Sequence, residues 1–192
     1  VTVLPVNDQP IGKDTAIVTN EDTPITICTP INDPDAASSF GASLCGVQNG
    51  SVNLNLVGGQ LCITYIPNPD YFGPDTICVI VCDNGTPALC DTVIVPVVVN
   101  PVNDGPDVTG RDTTTVMDST VVICVPISDA DNGSVFTATL CGQTNGTASL
   151  EITGNELCIT FIPAPGFTGV ADLCVEVCDN GNPVLCDTAA FT

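Results

Sequence analysis

The sequence predicts an all-β chain of two tandem β-sandwich domains, about seven strands each, stapled by disulfides. Two observations carry the domain count. Of the twelve cysteines, Cys124, Cys141, Cys158, Cys174, Cys178 and Cys186 each stand 96 places after Cys28, Cys45, Cys62, Cys78, Cys82 and Cys90. Between them the chain repeats without a gap: LCITYIP at Leu61–Pro67 returns as LCITFIP at Leu157–Pro163, and CDNGTPALCDT from Cys82 as CDNGNPVLCDT from Cys178. The domains are therefore 1–100 and 101–192, from an internal repeat. A third observation sets the class. Short apolar-alternating runs are separated by Gly, Pro, Asn and Asp clusters, and no helical period is sustained.

In the first repeat the strands fall, in order, near Thr15–Thr19, Ile25–Thr29, Ala42–Val47, Ser51–Leu56, Leu61–Ile66, Thr76–Cys82 and Leu89–Val99. Asn49-Gly50 marks the turn between the third and fourth, and Gly58-Gly59 that between the fourth and fifth, because these residues accept positive φ. Pro96 inside the last strand requires an edge position or a switch between sheets. Seven strands in this length is the size and spacing of an immunoglobulin-like sandwich.

Each cysteine follows an aliphatic residue, as in Ile27-Cys28, Leu44-Cys45 and Val81-Cys82. Side chains alternate faces along a strand, so aliphatics facing the core leave the cysteines outside. The sixth strand of the second repeat agrees: Leu173, Val175 and Val177 share one face, and Cys174, Glu176 and Cys178 the other. Disulfides then join neighbouring strands laterally. In an immunoglobulin topology the second strand neighbours the fifth, and the third and seventh flank the sixth. That suggests Cys28–Cys62, Cys45–Cys78 and Cys82–Cys90, with Cys124–Cys158, Cys141–Cys174 and Cys178–Cys186 in the second repeat. Metal binding is the rival use of the thiols, but no paired C-x-x-C knuckles occur. Disulfides imply an oxidising, extracellular setting.

The charge excludes several functions. Twenty-two acidic residues face two cations, Lys13 and Arg111, for a net charge of −20, and histidine and tryptophan are absent. So acidic a chain repels phosphate backbones, which argues against nucleic acid. Without histidine no Ser-His-Asp or Cys-His arrangement exists. No apolar run approaches the ~20 residues that span a bilayer, so membrane insertion is not expected. No basic-then-apolar leader opens the chain, which argues against Val1 as a natural start.

The phase of the repeat bears on assembly. Its boundary falls inside the strand VIVPVVVN at Val93–Asn100; the second copy stops at Thr192, and the remaining half-strand matches Val1–Leu4. Two readings follow. The residues are a window of a longer tandem array, or Val1, Thr2, Val3 and Leu4 of one subunit complete the strand Thr188, Ala189, Ala190, Phe191 and Thr192 of the next, a head-to-tail contact that does not close.

With the residues laid out, the repeat resembles the cadherin-like, bacterial immunoglobulin-like tandem repeats of large extracellular adhesins and surface fibres, in a cysteine-rich variant. The matching stretches are PVNDQP (5–10), NEDTPITI (20–27), INDPDA (31–36) and TYIPNPDYFGPDTICVIVCDNG (64–85), with similar blocks at 101–106 and 160–181. The resemblance implies a secreted or surface-attached, bacterial setting, and stalk or adhesive roles. It also implies an interdomain calcium site, because linker ND and loop DxD residues are ligands in cadherins. On that pattern Glu21, Asp22, Asp70 and Asp75 of the first domain would meet Asn103, Asp104, Asp129, Asp131 and Asp179. The hard cation suits oxygen ligands. The rival reading is that these residues build turns and add solubilising charge.

Asn49, Asn84, Asn132 and Asn145 each begin N-G-[ST], an N-glycosylation pattern with an equally good turn explanation. Asp14-Thr15-Ala16, Asp75-Thr76-Ile77 and Asp91-Thr92-Val93 match a D-[ST]-aliphatic O-glycosylation pattern. No insertion builds a catalytic cleft, so no enzyme is expected. Tyr65, Tyr71, Phe161 and Phe167 read as core or corner packing and not as a sugar platform. The expectation is a non-catalytic structural repeat unit of an extracellular filament or adhesin stalk, its partners copies of itself or flanking repeats. The alternative is a calcium-dependent module binding a surface glycan or protein. No organic cofactor is expected.

Overall fold

A computed structural model of the chain describes every residue except Val3, Pro5 and 36–38. It divides into two compact units, Val1–Val102 and Asn103–Thr192. Among the described residues all regular structure is strand.

The first unit comprises β1 (Ile11–Gly12), β2 (Ile17–Asn20), β3 (Ile25–Asn32), β4 (Gly41–Gly46), β5 (Gly50–Val57), β6 (Gln60–Pro67), β7 (Gly73–Cys82) and β8 (Cys90–Asn100). One sheet has the order β1-β3-β6-β5 and the other β2-β8-β7-β4. The second unit comprises β9 (Asp107–Val108), β10 (Val121–Ser128), β11 (Thr137–Gln143), β12 (Gly146–Thr153), β13 (Glu156–Pro163), β14 (Leu173–Cys178) and β15 (Cys186–Phe191), in sheets β12-β13-β10-β9 and β11-β14-β15. Each unit is a sandwich closed around alternate residues. Leu61, Ile63 and Tyr65 of β6 meet Ile77, Val79 and Val81 of β7 and Val93 and Val95 of β8, all fully buried. Burying one such side chain contributes roughly 1.5–3 kcal/mol.

The first strand differs from the sequence expectation. It is split, with β1 on one sheet and β2 on the other. The crossover needs a residue without a side chain, since a Cβ on Gly12 would lie 2.2 Å from Val93 Cγ2. The second repeat moves the bulk across the gap, with Val108 at the place of Gly12 and Ala189 at that of Val93. Pro96 lies opposite Thr76 of β7, and the parallel ladder between β8 and β2 starts only at Val97. Its missing N–H therefore leaves no ladder bond unmade on the β2 side.

The alternation places Cys78 and Cys82 on the outer face of β7. It fails on β4, where Leu44 is 43% exposed, and at the equivalent Leu140, 37% exposed. A bulge shifts the register between Leu44 and Gly46, and between Leu140 and Gly142, so Cys45 and Cys141 are the extra residues there. Six disulfides result: Cys28–Cys62, Cys45–Cys78, Cys82–Cys90, Cys124–Cys158, Cys141–Cys174 and Cys178–Cys186. Cys28 faces Cys62, and Cys82 faces Cys90, directly across their ladders, with Cα atoms 4.0 Å apart in both. All six therefore tie strands within one sheet and leave the core to hydrocarbon.

Candidate functional site

The carboxylates of the loops and strand ends are sorted into two kinds by their hydrogen bonds. The first kind serves the fold. Asp83 is buried beyond the end of β7, where one oxygen accepts the N–H of Gly85 and of Leu89, both at 2.9 Å. The other oxygen accepts Asn7 Nδ2 at 2.8 Å, and Asn7 also donates to the Pro87 carbonyl at 3.0 Å. This clasp ties the PVND segment to the β7–β8 hairpin. Asn103 and Asp179 repeat it at 2.7 Å, with the N–H groups of Gly181 and Leu185. Desolvation raises the pKa of both carboxylates, but the backbone and asparagine donors together outweigh it and hold Asp83 and Asp179 below the usual carboxylate range. Asn103 and Asp179, expected among the cation ligands, thus bind each other.

Asp75 is likewise committed. It is buried and turned toward the β4–β5 turn, where it accepts the N–H of Gln48, Asn49 and Thr76 and the hydroxyl of Tyr65. Among the described residues it joins no group of three acidic or cysteine side chains whose ligand atoms lie within 4.8 Å of one another. Glu21 is buried, and its carboxylate accepts the N–H of Val102. Asp22 and Asp70 both have positive φ, 54° and 56°, and Asp22 accepts the N–H of Asp70 at 3.3 Å.

The second kind is a cluster that recurs in each unit. In the second, Asp104 N–H donates to Asp131 Oδ2 at 2.8 Å, and Asp131 N–H to Asp129 Oδ1 at 2.9 Å. In the first, Asp8 N–H donates to Asp35 Oδ2 at 2.7 Å, and Asp35 N–H to Asp33 Oδ1 at 2.8 Å. In both, the far oxygen of the leading aspartate, Asp33 Oδ2 or Asp129 Oδ2, is buried without a hydrogen-bond partner. Burying a carboxylate oxygen that nothing compensates is costly. Carboxylate oxygens of Asp104 and Asp131 lie within 4.8 Å of each other. Asp8 and Asp83 were absent from the sequence-derived ligand set, although their repetition as Asp104 and Asp179 was a visible signal.

The glycosylation patterns meet the same turn chemistry. Asn84 Oδ1 accepts Ser39 N–H at 3.0 Å, and Asn145 Nδ2 donates to the Val170 carbonyl at 3.0 Å. Asp14 and Asp91 accept the N–H of Ile94 and of Gly12, both at 2.8 Å. Of the aromatics, Tyr65 and Phe161 are buried, and Tyr71 packs against the core with its hydroxyl on the Pro74 carbonyl at 2.6 Å. Of the expected end-to-end contact, Ala189 and Phe191 lie in the core on β15, Val1 and Leu4 are exposed, and Val3 falls outside the described residues.

The sequence profile of the family described as Bacterial Ig domain matches residues 7–97 and again 103–192. No curated protein matches the chain. Among solved structures, the chain is similar to Protocadherin Gamma B2 extracellular cadherin domains 1-5, with TM-score 0.59 and 15% identity, over 98% of this chain and 40% of that one. It is similar to Protocadherin Gamma C5 EC1-3 with TM-score 0.54 and 16% identity, over 98% of this chain and 69% of that one. An endo-fucoidan hydrolase from glycoside hydrolase family 107 matches with TM-score 0.47 and 10% identity, and the chain spans 29% of its length. For the two protocadherin structures the likeness is one of fold.

Proposed function

The chain belongs to the bacterial Ig domain family, with two copies of the domain, and from that premise we propose that it is a non-catalytic structural repeat of an extracellular surface fibre or adhesin stalk. The observation that carries this reading is the placement of the disulfides. All six join strands within a sheet, where a small sandwich gains resistance to unfolding without giving up core volume. Disulfides of this density belong to oxidising compartments. The Asn7–Asp83 and Asn103–Asp179 clasps add to it by fixing how the chain enters each unit. Immunogold labelling of intact cells is the test. Gold along surface fibres is the expected result, and gold confined to the cell interior overturns the reading.

A second reading is favoured by the orphaned oxygens of Asp33 and Asp129. A calcium ion would supply the missing partner, held by Asp8, Asp33 and Asp35 in one repeat and by Asp104, Asp129 and Asp131 in the other. It would neutralise part of a −20 charge and stiffen the loops beside the PVND segments. The chain would then be a calcium-dependent module for a surface glycan or protein. Isothermal titration with calcium should release heat, and chelator should lower the melting temperature. No heat and an unchanged melting temperature remove the ion.

A further inference from the structure

A sheet edge is a row of backbone N–H and C=O groups open to a further strand, and natural domains shorten, bend or charge it. In the first unit the edges are β1, β2, β4 and β5. β1 has two residues and β2 four. β4 is bulged at Cys45 and tied to β7 by Cys45–Cys78. β5 has none of these defences. It pairs with β6 from Gly50 to Val57 without a shift of register, and it contains neither proline nor charge. Gln48, Asn49, Gly58 and Gly59 on either side are uncharged as well, in a chain of net charge −20.

The second repeat defends the same edge twice. Ala148 N–H, on β12, donates to Gln143 Oε1 at 2.8 Å, so this N–H points away from β13. Bonding alternates along an antiparallel strand, which turns the backbone of Leu150 and Ile152 outward too. Glu151 adds a charge between them. At the corresponding places the first repeat has Val47 for Gln143 and Asn55 for Glu151. Val52, Leu54 and Leu56 thus present their N–H and C=O groups at an edge without the glutamine acceptor and without the charge. Their side chains pack on the core and are only half-buried.

The strand is also its own complement. Antiparallel pairing of two copies about Leu54 sets Leu54 against Leu54, Val52 against Leu56 and Asn53 against Asn55. Apolar meets apolar on the core side, and amide meets amide on the outer side, where both asparagines are exposed. The asparagines fall at non-hydrogen-bonded pairs, whose side chains approach most closely. A net charge of −20 holds copies apart, and at this edge no carboxylate opposes their approach.

We propose that β5 pairs with β5 of a second copy of this chain, antiparallel about a two-fold axis at Leu54. The sheet β1-β3-β6-β5 then continues into that of the partner. The contact is isologous and closes at two copies. It joins chains side by side, which goes beyond the reading of the chain as a fibre repeat and does not rest on it.

Sedimentation equilibrium of the 192-residue chain and two variants tests it, with melting temperatures as the check on folding. The parent should pass reversibly from monomer to dimer as its concentration rises towards about 1 mM. N53E/N55E sets glutamates against each other in both outer pairs and should dimerise roughly tenfold more weakly or worse, with an unchanged melting temperature. The fold accepts such a charge, since Glu151 stands at the place of Asn55 in the second repeat. N53E/N55K sets glutamate against lysine. It should dimerise at least as well as the parent at low salt and weaken as salt screens the pairs. A parent that stays monomeric overturns the proposal, whether the edge is bare or reserved for a foreign strand. So does undiminished association of N53E/N55E. N53E/N55K that associates as weakly as N53E/N55E rejects the axis at Leu54, and growth of the parent beyond a dimer through this edge rejects closure; either result overturns the proposal. Immunogold labelling is independent of these results, so loss of this contact and loss of the fibre reading are distinguishable.

Discussion

Tyr65 donates its hydroxyl to Asp75 Oδ2 at 3.0 Å, and the second repeat replaces both partners at once, by Phe161 and Ala171. The tyrosine ring lies over Gly50, where a Cβ would come within 2.6 Å of it, and Gly146 stands in the same relation to Phe161. The packing is thus shared by the repeats, and only the polar pair is particular to the first. In the second repeat the corresponding turn is held by Thr144, whose N–H donates to the Asp172 carbonyl at 2.9 Å and whose hydroxyl accepts Asp172 N–H at 2.8 Å. Y65F alone takes one of its two donors from Asp75 Oδ2, leaving the Asn49 N–H at 2.9 Å, and the loss of a hydrogen bond to a buried carboxylate should destabilise the first unit by about 1–3 kcal/mol. Y65F/D75A, the combination of the second repeat, should cost less than the two single changes added together. Urea unfolding of the four proteins checks this. Burial, then the bond to Asp75 and its charge, push the Tyr65 phenol well up. Its contribution is therefore fully present below about pH 10, the unfolded value, and is lost as pH climbs through the higher folded value.

The Asn7–Asp83 and Asn103–Asp179 clasps set an acid limit. Both carboxylates are held below the usual range, so their contribution is present above the unfolded value near pH 3.9 and is lost as pH falls through the lower folded value. D83N should melt at a lower temperature than the parent at pH 7, and the gap should close as the pH is taken below about 4. Calorimetric melting from pH 7 to pH 2 reads this directly. A gap that persists at pH 2 would mean that Asp83 acts through shape and not through charge.

The disulfides differ in the loops they close. Cys28–Cys62 spans 34 residues and Cys82–Cys90 spans 8. In the chain-entropy description removing the first should cost about 3–4 kcal/mol and the second about 2–3 kcal/mol. Denaturant midpoints of C28A/C62A and C82A/C90A should fall in that order.

The crossover at Gly12 predicts a size exchange. G12V should destabilise the first unit by about 1–3 kcal/mol through overpacking against Val93. G12V/V93A, which reproduces Val108 and Ala189, should recover most of the loss. Melting temperatures of the two variants decide it.

The two-domain sandwich was legible because burial alternates with period two along nearly every strand, as Leu61, Ile63 and Tyr65 show, and because each signal occurs twice at one spacing. Split and bulged strands were less legible. The pair β1 and β2 reads as a single strand until the clash at Gly12 is known, and Leu44 reads as core until the bulge at Cys45 turns it outward. The carboxylates were the least legible. Asp75, at the start of β7, and Asp22, in the turn after β2, both sit in stretches rich in Asp and Pro, and what separates them is distant in sequence: Tyr65 and the N–H of Asn49 for one, the N–H of Asp70 for the other. Composition records how many carboxylates there are, and only the fold decides which backbone donors each one meets.

The lateral placement of the cysteines has a mechanical consequence. When a repeat is pulled by its two ends, tension passes through covalent bonds, and Cys28–Cys62 and Cys82–Cys90 are short cuts across 34 and 8 residues. At about 3.5 Å per residue, roughly 150 Å of contour per repeat is withheld from extension even after every strand has parted. A tether built from such repeats yields in short steps and recoils with its loops still closed, and reduction of the sulfur bridges is what would set its full length free.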